Sequence, residues 1–372
     1  MRRISACIHH LSDWPAFAWD PAALEAVLGA VRHQQGRLLG RLEALGVDLR
    51  AEATLRTLTL DVLKSSEIEG ELLPPASVRS SLAWRLGLEQ AALPPADRRV
   101  EGVVAMLLDA TQQVAVLLTA QRLFGWHRAL FPTGYSGLYP VQVGAWRTSP
   151  MQVVSGPLGR ERVHYDAPPA EGLDAQMQPF LAWFNADQGL DPVLKAGLAH
   201  FWFVTVHPFD DGNGRIARAI ADLQLTRADG SGQRCYSMSA QIQAERQAYY
   251  DLLETSQRGP LDVTPWLDWF LQCLGRALQA AEQTMAQVLA KARFWERHRQ
   301  TPFTERQRQL LTRLLDGFEG KFTTAKWARM AHCSQDTAGR DIADLVAKGV
   351  LVHEGAGGRS TSYRLAAETA GS

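Results

Sequence analysis

The chain has 372 residues, 46% of them hydrophobic, and a formal net charge of zero, so no global field draws it to nucleic acid or membrane. No apolar run has the length of a signal peptide or a transmembrane helix. Cys7, Cys235, Cys273 and Cys333 lie far apart without a C-x-x-C pair, which offers neither a zinc site nor a disulfide framework and points to a cytoplasmic protein.

Eleven tryptophans spread along the chain argue for packed cores. The predicted elements are mostly helical. Asp20-Pro21 signals a helix start, and Leu24, Val27, Leu28 and Val31 follow at helical spacing as far as Leu45. A second helix is expected over residues 51–70, with Leu55, Leu58 and Val62 as its buried stripe. Further helical pieces read as 82–88, 100–118 and 118–131, the last ended by Pro132 and Gly134, with the loop LPPADRR between the first two.

Between Tyr139 and Pro169 the pattern changes to alternation. Val141, Val143, Trp146, Val153, Val154, Val163 and Tyr165 flank a turn with Ser155, Gly156, Pro157 and Gly159, which predicts a β-hairpin. Helices resume over 173–185. Asp191-Pro192 then caps a helix to Val206 that is apolar nearly all round and belongs in a core. Others follow over 214–228, 241–256 and 266–295. His127 and His200 read as core or supporting residues within apolar helices.

Beyond His298 an amphipathic helix (304–315), two short helices (323–330 and 334–346) joined by Ala331-His332-Cys333, and two strands around Val350–Val352 and Thr361–Leu365 give the winged-helix order. A boundary is expected near 300–302. This region holds about ten Lys and Arg against seven Asp and Glu. Gln335, Arg340 and Asp341 are expected on the exposed face of the second short helix, and Arg359 and Arg364 on the wing. That is a faint footprint for DNA.

The densest chemistry lies in HPFDDGNGRIAR, residues 207–218. His207 follows the buried helix, so the core fixes its backbone and it can serve as a base. Gly212-Asn213-Gly214 gives backbone freedom at the next helix start, where N–H groups converge on an anion. Arg215 and Arg218 on the first turn oppose the helix dipole unless they face a polyanion. Asp211 beside them is a reasonable Mg²⁺ ligand. Base, phosphate cradle and metal carboxylate together describe nucleotidyl or phosphoryl transfer.

The string matches H-P-F-x-[DE]-G-N-G-R-x-x-R at every fixed position, and the chain thereby resembles the Fic family. The resemblance implies a mainly α fold: a helical core with a β-hairpin flap, here joined to a C-terminal winged helix-turn-helix domain. It implies transfer of AMP from ATP, with Mg²⁺, to a Ser, Thr or Tyr hydroxyl of a target protein. His207 would deprotonate that hydroxyl and Asp211 would hold Mg²⁺ between the α- and β-phosphates. Gly212, Asn213 and Gly214 would form the anion hole, Arg215 would bind phosphates and Arg218 the γ-phosphate. The Doc toxin, a related kinase, departs from the pattern around the glycines; Gly212 and Gly214 are intact here, which favours AMP transfer.

Ser65-x-x-x-Glu69-Gly70 is similar to the family's inhibitory motif, [ST]-x-x-x-E-[GN]. By that resemblance Glu69 would pair with Arg218 and block the γ-phosphate, Ser65 would orient the contact, and Glu69→Gly would release the enzyme. The same glutamate could position a water that removes AMP. From the residues alone, a solvated helix end stopped by Gly70 is the plainer reading. ERQAYYDLLETSQ resembles the segment lining the adenosine pocket, with Tyr249, Tyr250 and Gln257 as its contacts, Gln257 standing where relatives often have asparagine. The flap edge would hold a target segment by main-chain pairing. The expected organisation is an N-terminal helical region (1–95), a catalytic core (96–298) with the flap at about 141–166, and the winged helix (299–372). Automodification and a homodimer are expected, and no membrane partner. The rival reading is a DNA-binding transcription regulator whose Fic part senses nucleotide; a third has the winged helix recruit a protein.

Overall fold

Asp20 starts the first helix by the expected means: its carboxylate accepts from the N–H groups of Ala22 and Ala23, and Pro21 occupies the first turn. The computed structural model of the chain describes residues 7–88, 97–156, 160, 162–230, 232, 234–315, 318, 320–354 and 361–366. These divide into two units, Met1–Glu282 and Gln283–Ser372. Among the described residues no helix is long and apolar enough to cross a membrane.

The first unit is mainly helical. Its elements are α1 (Pro21–Glu43), α2 (Val47–Ile68), α3 (Pro75–Arg85), α4 (Arg98–Gln112), α5 (Ala120–Leu130), α6 (Leu173–Asn185), α7 (Pro192–Val206), α8 (Asn213–Asp229), α9 (Met238–Ala244), α10 (Arg246–Gln257) and most of α11 (Thr264–Arg297). Every residue of α7 from Val193 to Val206 is buried, as its largely apolar sequence requires, Lys195, His200 and Thr205 included. It packs along α8, which also meets α4. The stripe Leu55, Leu58 and Val62 turns α2 inward, and α2 packs on α3 and α9.

A buried ion cluster joins α2 to α8. Arg234 pairs with Asp222, and Asp61 accepts from the Ser237 hydroxyl at 2.5 Å. Where α4 crosses α5, a Cβ on Gly102 would lie 1.7 Å from the Ala129 carbonyl oxygen. Gly102→Ala should therefore cost about 1–3 kcal/mol of stability through overpacking. A thermal midpoint equal to that of the parent would rule this close crossing out.

Two small antiparallel ladders complete the unit. One pairs β1 (Tyr135–Ser136) with β2 (Tyr139–Pro140); the other pairs β3 (Gln152–Ser155) with β4 (Arg162–Asp166) and carries a register shift at Val153/Val154. This second hairpin is shorter than the alternation suggests. Val141, Val143 and Trp146 lie in irregular chain, because Trp146 is drawn into the core. Its indole packs on Phe124 and Phe209 at 4.5 and 5.0 Å and donates to Asp174 at 2.7 Å. Pro157 and Gly159 of the expected turn, like part of the loop at 93–99, lie outside the described residues. The helix expected over 241–256 is two, α9 and α10, broken at Glu245. Its carboxylate is held by Arg276 at 2.6 Å.

The second unit contains α12 (Glu305–Leu315), α13 (Thr324–Met330), α14 (Gln335–Ala347) and the antiparallel pair β5 (Leu351–Glu354) and β6 (Ser362–Leu365). His332, at φ 49°, turns the chain between α13 and α14. Leu310, Leu311, Phe322, Trp327, Ile342 and Leu345 form its core, and Phe294 and Trp295 from the end of α11 pack against it. That contact draws the last turns of α11 into this unit, ahead of residues 300–302. One expectation is corrected here. Asp341 does not face solvent: it is 6% exposed and paired with Arg306, whose Nη2 donates at 2.8 Å. Arg359 lies outside the described residues.

Candidate active site

His207 terminates α7 in the left-handed region, φ 51° and ψ 57°, a conformation that costs a non-glycine residue energy. Its Nδ1 lies 3.2 Å from the Val204 carbonyl. A carbonyl only accepts, so the proton sits on Nδ1 and Nε2 keeps its lone pair. Burial lowers the imidazole pKa, and the charge of Arg147 acts in the same direction. The Val204 hydrogen bond and the carboxylates of Glu69 and Asp211 oppose this without cancelling it. Burial and the Arg147 charge both favour the neutral imidazole, with a lone pair on Nε2.

The chain then turns through Phe209, which is fully buried. Asn213 closes the loop: its Oδ1 accepts from the Phe209 N–H at 3.0 Å and its Nδ2 donates to the Phe209 carbonyl at 2.8 Å. Its side chain is thus committed, and its backbone N–H is what it can offer an anion. Gly212, at φ 80°, precedes α8, and a Cβ there would lie 3.0 Å from the Phe131 ring. His127 supports the loop from behind. Its Nδ1 accepts from the Gly144 N–H at 3.0 Å, so its Nε2 donates to the Asp211 carbonyl at 3.2 Å. Burial pushes its pKa down to about 4.

The Asp211 carboxylate accepts from the Gly212 N–H at 2.5 Å and from the Ser136 hydroxyl, and stays 43% exposed. Among the described residues no group of three or more His, Cys, Asp or Glu could hold a metal by itself. A lone exposed carboxylate does fit Mg²⁺, which takes one or two carboxylates and completes its shell from phosphates and water.

Arg215 and Arg218, at the start of α8, are buried, 6% exposed for Arg215 and 2% for Arg218. Arg218 Nε donates to the Ser65 hydroxyl at 3.0 Å, and its Nη2 donates to the Ser65 carbonyl at 2.8 Å and to Glu69 Oε1 at 2.7 Å. Its Nη1 has no acceptor among the described residues. Burial opposes its charge, but Glu69 together with Tyr249 and Tyr250 outweighs that, and the pKa is raised. Ser65 is buried, while the Glu69 side chain is 30% exposed toward the cavity. Gly70, at φ 82°, stops α2. A Cβ on Gly214 would lie 2.2 Å from Glu69 Oε1. The carboxylate thus rests on the first turn of α8, where the dipole and free N–H groups attract negative charge.

Sequence reasoning missed Glu71. Its Oε2 accepts from Arg215 Nη1 at 2.9 Å, with the guanidinium over the Phe131 ring. Both arginines expected to hold phosphate are therefore engaged by carboxylates that follow α2. The nearest signal is Ser65-x-x-x-Glu69-Gly70, which ends one residue before Glu71, where acidic character alone has no specific meaning.

His207, Asp211, Asn213, Gly214 and Glu69 line a cavity of about 660 Å³ with the hairpin β3–β4 and α10. Tyr249, Tyr250 and Gln257 reach it from α10. The Tyr249 hydroxyl lies 2.9 Å from His200 Nε2, and Tyr250 donates to the Ile68 carbonyl at 3.4 Å. Gln257 makes long contacts to Val204 and Thr205, at 3.5 and 3.3 Å. The hairpin is tied to α10 through Glu254, which meets His164 at 2.5 Å and Arg162 at 2.8 Å.

Residues 117–225 match the Fic/DOC family, and residues 7–88 match a domain of unknown function, DUF4172. A protein adenylyltransferase Fic from Culex quinquefasciatus is 27% identical over 226 residues, which cover 58% of this chain and 40% of that protein. The protein adenylyltransferase Fic of Drosophila grimshawi is 26% identical over 245 residues, 63% of this chain and 46% of its own length. The chain thus spans less than half the length of these relatives. In fold, it is similar to a Fic family protein from Desulfovibrio desulfuricans G20, with a TM-score of 0.53 at 20% identity over 94% of this chain and 98% of that one.

Proposed function

We propose that this chain is a Fic-type protein adenylyltransferase that moves AMP from ATP to a Ser, Thr or Tyr hydroxyl of a target protein, and that it is held in check in cis by Glu69. The observation that carries this is the seat of the Glu69 carboxylate. It lies against Gly214 and is paired with Arg218, beside the cavity that holds His207. An anion already occupies the place that the motif offers to a phosphate.

In this reading His207 Nε2 takes the proton of the acceptor hydroxyl. The hydroxyl oxygen bonds to the α-phosphorus, the bond to the β-phosphate breaks, and pyrophosphate leaves. The N–H groups at the start of α8, with Arg215 and Arg218, stabilise the negative charge on the phosphates. Asp211 would hold Mg²⁺. That ion, when bound, would neutralise negative charge on the phosphates. Tyr249, Tyr250 and Gln257 would flank the nucleoside.

The hairpin β3–β4 is read as the flap that holds the target segment. The second unit is read as a winged helix that recruits a target or regulates the core. Burial of Asp341 leaves Lys326, Arg329 and Arg340 on exposed positions of α13 and α14. Asp336 and Asp344 of α14 are exposed as well, so the face stays faintly basic, and DNA is the second reading for that unit.

The test uses Glu69→Gly protein, Mg²⁺ and a cell lysate, with ATP labelled at either the α- or the γ-phosphate. The expected outcome, relative to lysate without the protein, is added covalent protein label from the α-phosphate alone. Added label from the γ-phosphate would make the chain a kinase, and no added label from either would overturn the reading.

A further inference from the structure

We propose that Arg147 is a positioning residue for His207, fastening the backbone of the base to both roots of the β3–β4 hairpin. The inference rests on the AMP-transfer reading and deepens it.

Arg147 is 2% exposed, among the largest fully buried side chains, and it pairs with no carboxylate among the described residues. A buried cation without a counter-ion is costly unless every donor is placed. Here each branch of the guanidinium meets a backbone carbonyl. Nε donates to His207 at 2.8 Å, Nη1 to Ser149 at 2.9 Å and Nη2 to Pro168 at 2.6 Å. Its own N–H donates to the Pro208 carbonyl at 2.9 Å. Packing alone would not call for a charged group in that position.

The three carbonyls identify the role. His207 sits in the left-handed region, where the surrounding structure must hold it. Arg147 supplies that hold by gripping the carbonyl of His207 and that of the next residue. Ser149 lies just before β3 and Pro168 just after β4. One guanidinium therefore links the base to the two ends of the hairpin that would present the acceptor hydroxyl. The distance between base and acceptor is set through this link, whereas nucleotide is held by Arg215 and Arg218 on α8. The charge of Arg147 also acts, after burial, to keep the imidazole neutral.

Arg147→Lys and Arg147→Met should be measured in the Glu69→Gly protein. The expected result for methionine is a loss of kcat on the order of 100-fold, the cost of a misplaced reacting group. KM for ATP and the affinity for ADP should not move. Lysine can keep part of the grip on one carbonyl, so its loss should be smaller. The ring ¹⁵N signals of His207, read without nucleotide, should lose their Nδ1–H signature in the methionine variant.

A folded methionine variant with parental kcat and parental His207 signals would overturn the proposal. So would equal losses in kcat and ADP affinity, which mark a merely structural residue. If methionine prevents folding, the lysine variant decides by the same two readouts. An inactive Glu69→Gly parent would count against AMP transfer itself, and the His207 signals would still judge Arg147.

Discussion

Replacing His207 with alanine in the Glu69→Gly protein should lower the rate of AMP transfer by about 100- to 10,000-fold, the range expected for loss of a general base. Nucleotide affinity should persist, because Arg215, Arg218 and the start of α8 remain. Alanine also removes a side chain from a left-handed position, so some loss could come from a disturbed turn. Asparagine accepts that conformation more readily and is the better control. If His207→Asn keeps ADP affinity and loses the rate, the imidazole acts in the chemistry. The pH profile gives a second check. Burial, then Arg147, lower the His207 pKa, so the base form exists above a folded value that lies below the ordinary imidazole value of about 6.5. Activity should hold at neutral pH and fall only as the pH drops through that lower value. Removing Glu69 takes away a charge that raises the pKa, which moves the limb further down. A limb above 6.5, or a His207→Asn protein with parental rate, would exclude this assignment.

How far the site was legible depended on whether its residues are joined locally or across the fold. The loop 207–218 was legible because a buried helix, a turn and a helix start follow one another in the chain. Packing the stripe of Leu55, Leu58 and Val62 inward carries Ser65 and Glu69 to α8, but the residues alone read more plainly as a solvated helix end, and the pairing with Arg218 was expected only from the resemblance. Glu71 was missed because its partner, Arg215, is 144 residues away and no periodicity connects them. Gly144-Ala145-Trp146-Arg147 resembles the family's approach to the flap, but the role of Arg147 was not legible, for a similar reason. Its partners are backbone carbonyls, which carry no side-chain signature, and one of them lies 60 residues on. Trp146 satisfies alternation but is pulled into the core by Phe124, Phe209 and Asp174, so the expected strand is irregular there. Asp341 looks exposed by its polarity and is buried only because Arg306 and Trp327 converge on it. In each case a tertiary partner overrode the local pattern.

Glu69→Gly should raise AMP transfer by about 10- to 100-fold. The estimate follows from the contact being lost, a hydrogen bond between charged groups worth about 1.5–3 kcal/mol. Only part of that opposes the nucleotide, because Arg218 also keeps its bonds to Ser65. The seat of the carboxylate against Gly214 means that its removal clears the anion position as well as freeing the guanidinium. Glu71→Gln tests the second engagement separately. It keeps the shape of the side chain and removes its charge, so Arg215 becomes available to phosphate. The gain should be smaller, about 3- to 10-fold in ADP affinity, since Glu71 is partly exposed and water weakens an exposed pair. Combining the two variants distinguishes two independent holds from one. Glu69 and Glu71 touch different arginines, yet they lie two residues apart on the same turn. Free energies that add would make them separate contacts. A double variant no better than Glu69→Gly would mean that one movement of the turn frees both arginines, with Glu69 as the only lock. A Glu69→Gly protein no faster than wild type, with ADP affinity also unchanged, would remove cis inhibition from the account.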